Sequence, residues 1–306
     1  MSGHAAVGPW PSSAMRMATL YLRLKGKAMA RPERFSRELA TRRYPEPDPI
    51  PKKIHQRYAI RTYHVGGWPV LEFSPRAGAT ENQVVFVHGG GYVFQAVKQH
   101  WFMADELSRA LDASVLMPVY PLAPEHGHAE AFAFLDTVAD DARARCPGRL
   151  YLAGDSAGGT LALGVAMRSR DAGKPAADGL VLFSPWVDAT MANPEAAALE
   201  KADVFLAVPP LIECGRLWAG GLDTAAPDIS PLYGRLSGLP PMAVFQGTAD
   251  ILMPDSRLFA RRVREAGGRI DYHEYPGAFH DFVGATFAPE AQDAFAKLAA
   301  WRTSLA

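Results

Sequence analysis

Six short apolar runs alternate with longer stretches of helical periodicity, and this alternation constrains the fold more than any other feature of the sequence. Most of these runs are apolar along nearly their whole length, which is typical of a strand that is covered on both faces. Strands that alternate with helices in this way predict a parallel sheet flanked by helices, an α/β fold. The runs lie at 84–88, 114–120, 150–154, 179–184, 242–247 and 270–275, and the helical patterns near 99–112, 128–144, 157–170, 255–267 and 288–303.

The segment before the first of these runs has a different pattern. Segments 58–65 and 68–74 alternate apolar and polar residues on either side of Gly66–Gly67, and they predict an antiparallel strand pair. Before that pair, residues 42–53 contain four prolines and predict a linker.

Near the N-terminus, residues 1–14 predict a loose tail, and apolar residues then recur at helical spacing from Met15 to about Thr41. We expect a single helix here, packed on the body of the protein through its apolar face. Basic residues occupy the rest of the helix, so a basic amphipathic helix on a membrane surface is the alternative. The apolar face carries Met17, Leu20, Tyr21 and Leu24.

One long insertion interrupts the alternation of strands and helices. About 55 residues separate the run at 179–184 from the run at 242–247, far more than a crossover helix needs. This insertion is apolar enough to pack as a small cap over a site at one edge of the sheet. We therefore divide the chain into an N-terminal part that contributes to the cap (1–53), a cap insertion (188–226) and a catalytic domain (54–187 and 227–306).

The pentapeptide Gly154-Asp155-Ser156-Ala157-Gly158 lies where a predicted strand ends and a helix begins. This G-x-S-x-G pattern is typical of a tight turn that exposes a nucleophilic serine above a sheet. The glycines are expected because the turn leaves no room for side chains beside the serine. By itself the pentapeptide is weak, since an ordinary turn could also contain it.

A serine hydroxyl needs a base beside it and a third group that orients the base. His280 follows the strand at 270–275, in a loop at the same edge of the sheet as Ser156, and is the predicted base. His88 is the alternative, but it precedes the serine in the chain, against the expected order.

Asp250 lies just past the strand at 242–247 and is the predicted orienting acid, completing the order Ser, Asp, His. Three other aspartates compete for this role. Asp255 is expected to cap the following helix, and Asp155 adjoins the serine and is badly placed to reach a histidine. The third competitor, Asp281, is next to His280 itself.

Three consecutive glycines follow His88 at the end of the run at 84–88. Attack on an ester creates an oxyanion, which preorganised N–H groups stabilise. We expect Gly89 and Gly90 to supply two of these N–H groups, because glycine lets the main chain approach the substrate, and Ala157 to supply the third. His88 and Gly91 are expected to brace this loop.

These motifs together resemble the hormone-sensitive-lipase-like, HGGG-type carboxylesterases (bacterial family IV) of the α/β-hydrolase superfamily. The resemblance rests on HGGG at 88–91, GDSAGG at 154–159, YPLAPEH at 120–126, Asp250 and His280. It implies an α/β-hydrolase fold, a helical cap and a serine carboxylic-ester hydrolase without a cofactor or metal. The chain departs from the family's usual Asp-Tyr-Arg at 119–121, where it has Val-Tyr-Pro, so an ion pair that would brace this loop is missing.

The predicted substrate pocket is taken from residues near these motifs, although aromatic residues at such positions are more often part of the core. The candidates are Tyr92, Phe94, Asp155, Trp186, Phe205 and Leu206.

Composition excludes several other classes of protein. A net charge of zero gives no reason to expect nucleic-acid binding. Cys146 and Cys214 form no metal-binding pattern and indicate a reduced, cytoplasmic protein. No run of 18 apolar residues predicts a membrane span. An exposed edge strand would be compatible with a homodimer.

The sequence thus predicts hydrolysis of short- to medium-chain acyl esters through an acyl-enzyme. Because the base must be neutral, activity should rise with pH through the imidazole pKa, near 6.5 if it is unperturbed. Hydrolysis of a lactone or an aryl formamide is the alternative within enzymes. A ligand-binding protein without activity, like the gibberellin receptors that resemble this family but lack the histidine, is the more remote alternative.

Overall fold

An eight-stranded sheet forms the centre of the computed structural model, which describes residues 8–26, 29, 32–41, 46–175 and 177–305. Its strands are ordered β1-β2-β4-β3-β5-β6-β7-β8. They are β1 (Tyr58–Val65), β2 (Trp68–Pro75), β3 (Asn82–Val87), β4 (Ala113–Pro118), β5 (Leu150–Asp155), β6 (Gly179–Phe183), β7 (Met242–Ala249) and β8 (Ile270–Phe279).

Strands β3 to β8 are parallel, and β2 is antiparallel to both β1 and β4. Every residue of β4, β5 and β6 is buried, which explains why these runs are apolar along nearly their whole length. The predicted parallel strands and the antiparallel pair are confirmed. Because parallel strands end at the same edge, the segments that follow β3, β5, β7 and β8 meet there.

Helices cover both faces of the sheet, as predicted. One apolar core lies between the sheet and α4 and α10, and the other between the sheet and α5, α6 and α9. The helices are α1 (Ser13–Lys25), α2 (Pro32–Thr41), α3 (Lys52–Arg57), α4 (Lys98–Leu111), α5 (His128–Arg145), α6 (Ala157–Asp171), α7 (Pro194–Leu199), α8 (Val208–Ala219), α9 (Met253–Glu265) and α10 (Pro289–Ser304).

The single helix predicted from Met15 to Thr41 is wrong, because two helices occupy this part of the chain. Helix α1 ends before Gly26, which has a φ of 63° that glycine adopts at little cost. Helix α2 starts at Pro32, and proline is tolerated in the first turn of a helix but not in its interior.

The predicted packing face of α1 is also wrong. Met15 is fully buried, and Ala14, Ala18 and Leu22 pack against the same core, on the side of α10 and β8. Helix α1 therefore has two apolar faces, and periodicity alone did not reveal which one packs. The four residues expected to be buried are exposed: Met17 (71%), Leu20 (56%), Tyr21 (60%) and Leu24 (77%).

The structure describes only part of the predicted linker at 42–53, but all of the insertion at 188–226. Residues 42–45 of the predicted linker lie outside the described residues, 46–51 have no regular structure, and α3 begins at Lys52. The insertion 188–226 contains α7 and α8, and α8 contacts α2. Among the described helices, none combines the length and the apolar character needed to cross a bilayer.

Candidate active site

Ser156 lies in a sharp turn between β5 and α6, with a φ of 52° and a ψ of −121°. A β-carbon on Gly154 would overlap the backbone of Gly158, and one on Gly158 would overlap the carbonyl oxygen of Val87. Both glycines are therefore required by close approaches of the main chain. The turn holds Ser156 in a strained conformation at the edge where the parallel strands end.

His280 follows β8 directly, and its Nδ1 lies 2.9 Å from Oδ2 of Asp250. Asp250 follows β7 and is fully buried. Its carboxylate also accepts hydrogen bonds from Nε2 of Gln246 (2.8 Å) and from the backbone N–H of Leu252 (2.8 Å). Asp250 is thus fixed from several directions and can hold the imidazole in one orientation.

Two of the competing aspartates have other partners. Asp255 lies inside the first turn of α9 and accepts a hydrogen bond from Nδ2 of Asn193 (2.8 Å). The expectation that it caps the helix is wrong, because the N-cap residue is Leu252. Asp155 accepts hydrogen bonds from the N–H of Gly89, in the loop after β3, and from His100 of α4.

The third competitor does contact the imidazole, but on its other side. Oδ2 of Asp281 lies 3.0 Å from Nε2 of His280. Asp281 adopts a left-handed conformation (φ 53°), and its N–H donates to Oγ of Ser184 (3.1 Å). Both nitrogens of the His280 ring thus face carboxylates, an arrangement that fits the doubly protonated imidazolium, because a carboxylate only accepts hydrogen bonds. Within the described residues, no hydrogen bond joins Ser156 Oγ to His280.

These carboxylates control the protonation of His280. Burial opposes the charged ring, but Asp281 and Asp250 outweigh it and raise the pKa of His280 well above its ordinary value. Burial also raises the pKa of Asp281 to about 6, although the neighbouring His280 acts in the opposite direction. The neutral imidazole of His280 is therefore formed at a higher pH than the sequence alone suggested.

Asp203 is a buried aspartate from the insertion that lies near Asp250 and His280. The sequence analysis missed it. It accepts hydrogen bonds from the backbone N–H groups of Phe205 (2.6 Å), Leu206 (2.9 Å) and Ile251 (3.0 Å). Burial and the nearby Asp250 raise the pKa of Asp203 to about 6. The bond to Ile251 ties the insertion to the Asp250 loop. No motif marks this aspartate in the sequence.

The glycine loop after β3 uses its N–H groups differently from the prediction. The N–H of Gly89, which was expected to bind the oxyanion, donates to Oδ2 of Asp155 (3.1 Å) in this structure. Among the described residues, the N–H groups of Gly90, Gly91 and Ala157 have no hydrogen-bond acceptor. The unoccupied donors thus lie one residue further along the loop than expected.

The packing and the backbone conformation of this loop require glycine at positions 89, 90 and 91. A β-carbon on Gly89 would overlap Oδ2 of Asp155 and lie 2.9 Å from its carbonyl oxygen. Gly90 and Gly91 have φ angles of 118° and 61°, which other residues rarely adopt. The loop can therefore pack against Ser156 and its neighbours only with glycine at these positions.

The ring of His88 contacts both this loop and Tyr120. Its Nδ1–H donates to the carbonyl oxygen of Gly89 (2.7 Å), and its ring stacks on Tyr120 with 4.5 Å between centroids. Tyr120 in turn donates to the carbonyl oxygen of His88 (3.1 Å). Burial lowers the pKa of His88 to about 4, so this ring is neutral at physiological pH.

A second histidine supports the loop and was not predicted. Nδ1 of His100, in α4, accepts from the N–H of Val97 (2.8 Å), which leaves the proton on Nε2. That Nε2 lies 3.2 Å from Oδ2 of Asp155, the same atom that accepts from Gly89. His100 lay within a helical pattern in the sequence, and nothing distinguished it from a packing residue.

Two of the six predicted pocket residues, Phe94 and Phe205, are partly exposed beside the glycine loop and His280. Phe205 packs edge-on against His280, with ring centroids 5.4 Å apart, and Phe94 packs against Phe35 of α2 (6.1 Å). The other four are buried and pack among their neighbours; Tyr92, for example, stacks between two tryptophans. These four are Tyr92, Asp155, Trp186 and Leu206.

Comparisons with known proteins identify the family to which the chain belongs. The family model described as the alpha/beta hydrolase fold matches residues 84–284. An esterase of Acinetobacter venetianus is 30% identical over 80% of this chain and 82% of its own. The carboxylesterase NlhH of Mycobacterium tuberculosis is 32% identical over 72% of this chain and 73% of its own.

A solved structure gives the same result for the fold. The crystal structure of an esterase from the bacterial hormone-sensitive lipase family has a TM-score of 0.80 and 24% identity, covering 96% of this chain and 97% of its own. Since the family model spans more than half of the chain, the chain belongs to the α/β-hydrolase family, and its predicted resemblance to the hormone-sensitive-lipase-like members is confirmed.

Proposed function

We propose that this protein is a carboxylesterase that hydrolyses short- to medium-chain acyl esters through Ser156, His280 and Asp250. The observation that carries the proposal is the 2.9 Å contact between His280 Nδ1 and Asp250, at the same sheet edge as the strained Ser156 turn. The esterases and carboxylesterases among the relatives support the same activity.

In the proposed mechanism, His280 acts as the general base. It first loses a proton and turns its Nε2 from Asp281 toward Ser156, while its Nδ1–H continues to donate to Asp250. Ser156 Oγ then attacks the ester carbonyl as Nε2 takes its proton. The same proton passes to the leaving alcohol, which leaves an acyl-enzyme. Water, activated by His280, then hydrolyses the acyl-enzyme and releases the acid.

The oxyanion in this proposal is bound by the N–H groups of Gly90, Gly91 and Ala157. They have no other acceptor within the described residues, and two of them lie in a loop that packing holds in place. The N–H of Ala157 also begins α6, where the helix dipole favours negative charge. Preorganised donors of this kind account for a large share of catalysis.

We propose that α2 and the insertion 188–226 form the cap. Helix α2 contacts α8 of the insertion, and its Phe35 packs against Phe94 beside the glycine loop. Phe205, also from the insertion, packs against the ring of His280. The cap would thus supply aromatic surface around the acyl or alcohol group, while α1 lies elsewhere, against α10.

The test is a substrate panel on the wild type, on Ser156→Ala and on Ser108→Ala. Ser108 is a buried serine of α4 that bonds to Ala113 and is the matched control. We expect p-nitrophenyl esters of short and medium acyl chains to be the best substrates. Ser156→Ala should lower kcat by about 10⁴-fold or more, because the triad acts as a unit, and Ser108→Ala should retain activity.

Other outcomes would redirect or overturn the proposal. A higher kcat/KM for a medium-ring lactone or an aryl formamide would assign the same machinery to those substrates. Absence of turnover on every substrate would favour a binding protein. Undiminished turnover in Ser156→Ala would exclude Ser156 as the nucleophile.

A further inference from the structure

Helix α1 exposes a continuous apolar surface that the catalytic proposal does not use. Its large side chains at four positions are more than half exposed, while the opposite face of the helix, with Met15, packs on the protein. A surface helix needs only one apolar face for packing. We call the exposed surface the outer stripe; it consists of Met17, Leu20, Tyr21 and Leu24.

The outer stripe has the geometry of a helix that lies in a membrane surface. Its residues follow the spacing i, i+3, i+4, i+7, which places them on one face. At 100° per residue, Arg16 and Arg23 lie along one side of the stripe and Lys25 along the other. Helix α1 contains no aspartate or glutamate. Trp10, 78% exposed, precedes the helix and adds an interfacial type of side chain.

The orientation of the stripe is fixed by contacts at the start of α1. The N–H and the hydroxyl of Ser12 donate to the carboxylate of Glu290 (2.6 and 2.8 Å), which is buried in the first turn of α10. Ser12 also caps α1 by accepting from the N–H of Met15 (3.1 Å). These bonds prevent α1 from rotating to bury the stripe.

The basic residues on both sides of the outer stripe indicate what binds to it. If a second copy of the chain covered the stripe in a two-fold contact, the basic flanks of both copies would be brought together and would repel. A bilayer with anionic headgroups instead receives the apolar side chains at its acyl boundary and pairs with the basic flanks at the headgroups.

We infer that α1 is an in-plane docking helix, which binds the protein to the surface of an anionic phospholipid membrane through the outer stripe. Arg16, Arg23 and Lys25 contact the headgroups, and no part of the helix crosses the bilayer. This inference does not depend on the proposed catalytic activity.

Vesicle flotation of the full chain tests the inference. The vesicles contain phosphatidylcholine alone or phosphatidylcholine with phosphatidylglycerol at roughly 3:1. We expect the wild type to float with the anionic vesicles, less at high salt, and to bind neutral vesicles at least about tenfold more weakly. Leu20→Ser/Leu24→Ser should weaken binding to the anionic vesicles by at least about tenfold.

A matched variant, Ile212→Ser/Leu222→Ser, removes two exposed apolar side chains outside α1 (46% and 49% exposed) and should bind like the wild type. Circular dichroism and the urea midpoint check that every variant is folded. Equal binding of both double variants, equal binding to neutral vesicles or no binding by the wild type would overturn the inference. So would a wild-type dimer in solution that Leu20→Ser/Leu24→Ser dissociates.

Discussion

The two halves of the candidate active site are built on different physical principles. The half that we propose binds the oxyanion (the oxyanion half), after β3 and β5, consists of close-packed glycines supported by His88 and His100. The imidazole half, after β7 and β8, places His280 among three carboxylates, those of Asp203 and Asp250, which are buried, and that of Asp281, which is partly exposed. Close packing thus fixes the position of the loop in the first half, whereas the ionisation of His280 and the carboxylates determines the charge of the second.

This difference has a consequence for pH. Burial lowers the pKa of His88 to about 4, so this ring stays neutral above about pH 5. Burial also opposes the charged ring of His100, but Asp155 outweighs it and raises the pKa of His100. The imidazole half titrates in the range where the enzyme would work, since Asp203 and Asp281 have pKa values of about 6 and that of His280 is raised. The pH dependence of activity should therefore come mainly from His280, the proposed base, with His100 as the titrating group of the other half.

The largest effect is expected from Asp250→Asn, which breaks the imidazole half. The amide removes the charge that stabilises the imidazolium and can favour the wrong tautomer of His280, so kcat should fall by about 10⁴-fold. Steady-state kinetics on a p-nitrophenyl ester measures this loss. Asp255→Asn, a buried aspartate that bonds to Asn193 instead, is the control and should keep kcat within about twofold. Similar losses in both variants would contradict the assignment.

Gly89→Ala should break the oxyanion half, with a smaller effect. The added β-carbon would overlap Asp155 and force the loop away from Ser156, so we expect kcat to fall by about 10²- to 10³-fold. The pH of half-maximal kcat/KM should stay that of the wild type, because no ionisable group changes. Gly127→Ala is the control, since a β-carbon added there would meet no atom within 4 Å and its φ is −109°. A shifted pH profile in Gly89→Ala would show that the halves are coupled.

The sequence predicted the parts of both halves that topology determines. Ser156, Asp250 and His280 each follow a parallel strand, so their meeting at one edge could be inferred from the order of strands and helices. Which N–H groups remain free could not be inferred, because it depends on Asp155 accepting from Gly89.

The remaining features depend on packing between distant segments. Asp203 reaches the Asp250 loop from an insertion whose path no pattern in the sequence specifies. Helix α1 has apolar residues on two faces, and its orientation depends on a bond between Ser12 and Glu290, almost the whole chain apart. Periodicity identified α1 as a helix but could not choose between its faces.

Asp281→Asn sharpens the comparison within the imidazole half. Asp281 stabilises the protonated ring of His280, so its loss should lower the pKa of that ring. Since the neutral ring is the base, the acid limb of kcat/KM should move to lower pH than in the wild type. A pH series from 4.5 to 9.5 on one ester, with about half-unit steps, measures the limb. An acid limb that stays in place or moves to higher pH would contradict the role given to Asp281.

Asp255→Asn should have the smallest effect, limited to stability. Burial raises the pKa of Asp255 to about 6, so the folded wild type binds more protons than the unfolded chain, in which an aspartate titrates near 3.9. The wild type therefore loses stability as pH rises from about 4 to 6, and the variant lacks this loss. The difference in the free energy of unfolding, variant minus wild type, should increase across that range in urea titrations. A difference that is constant with pH would show that Asp255 ionises in the folded protein as readily as in the unfolded chain, and that desolvation in this part of the molecule is weaker than the burial of its carboxylates indicates.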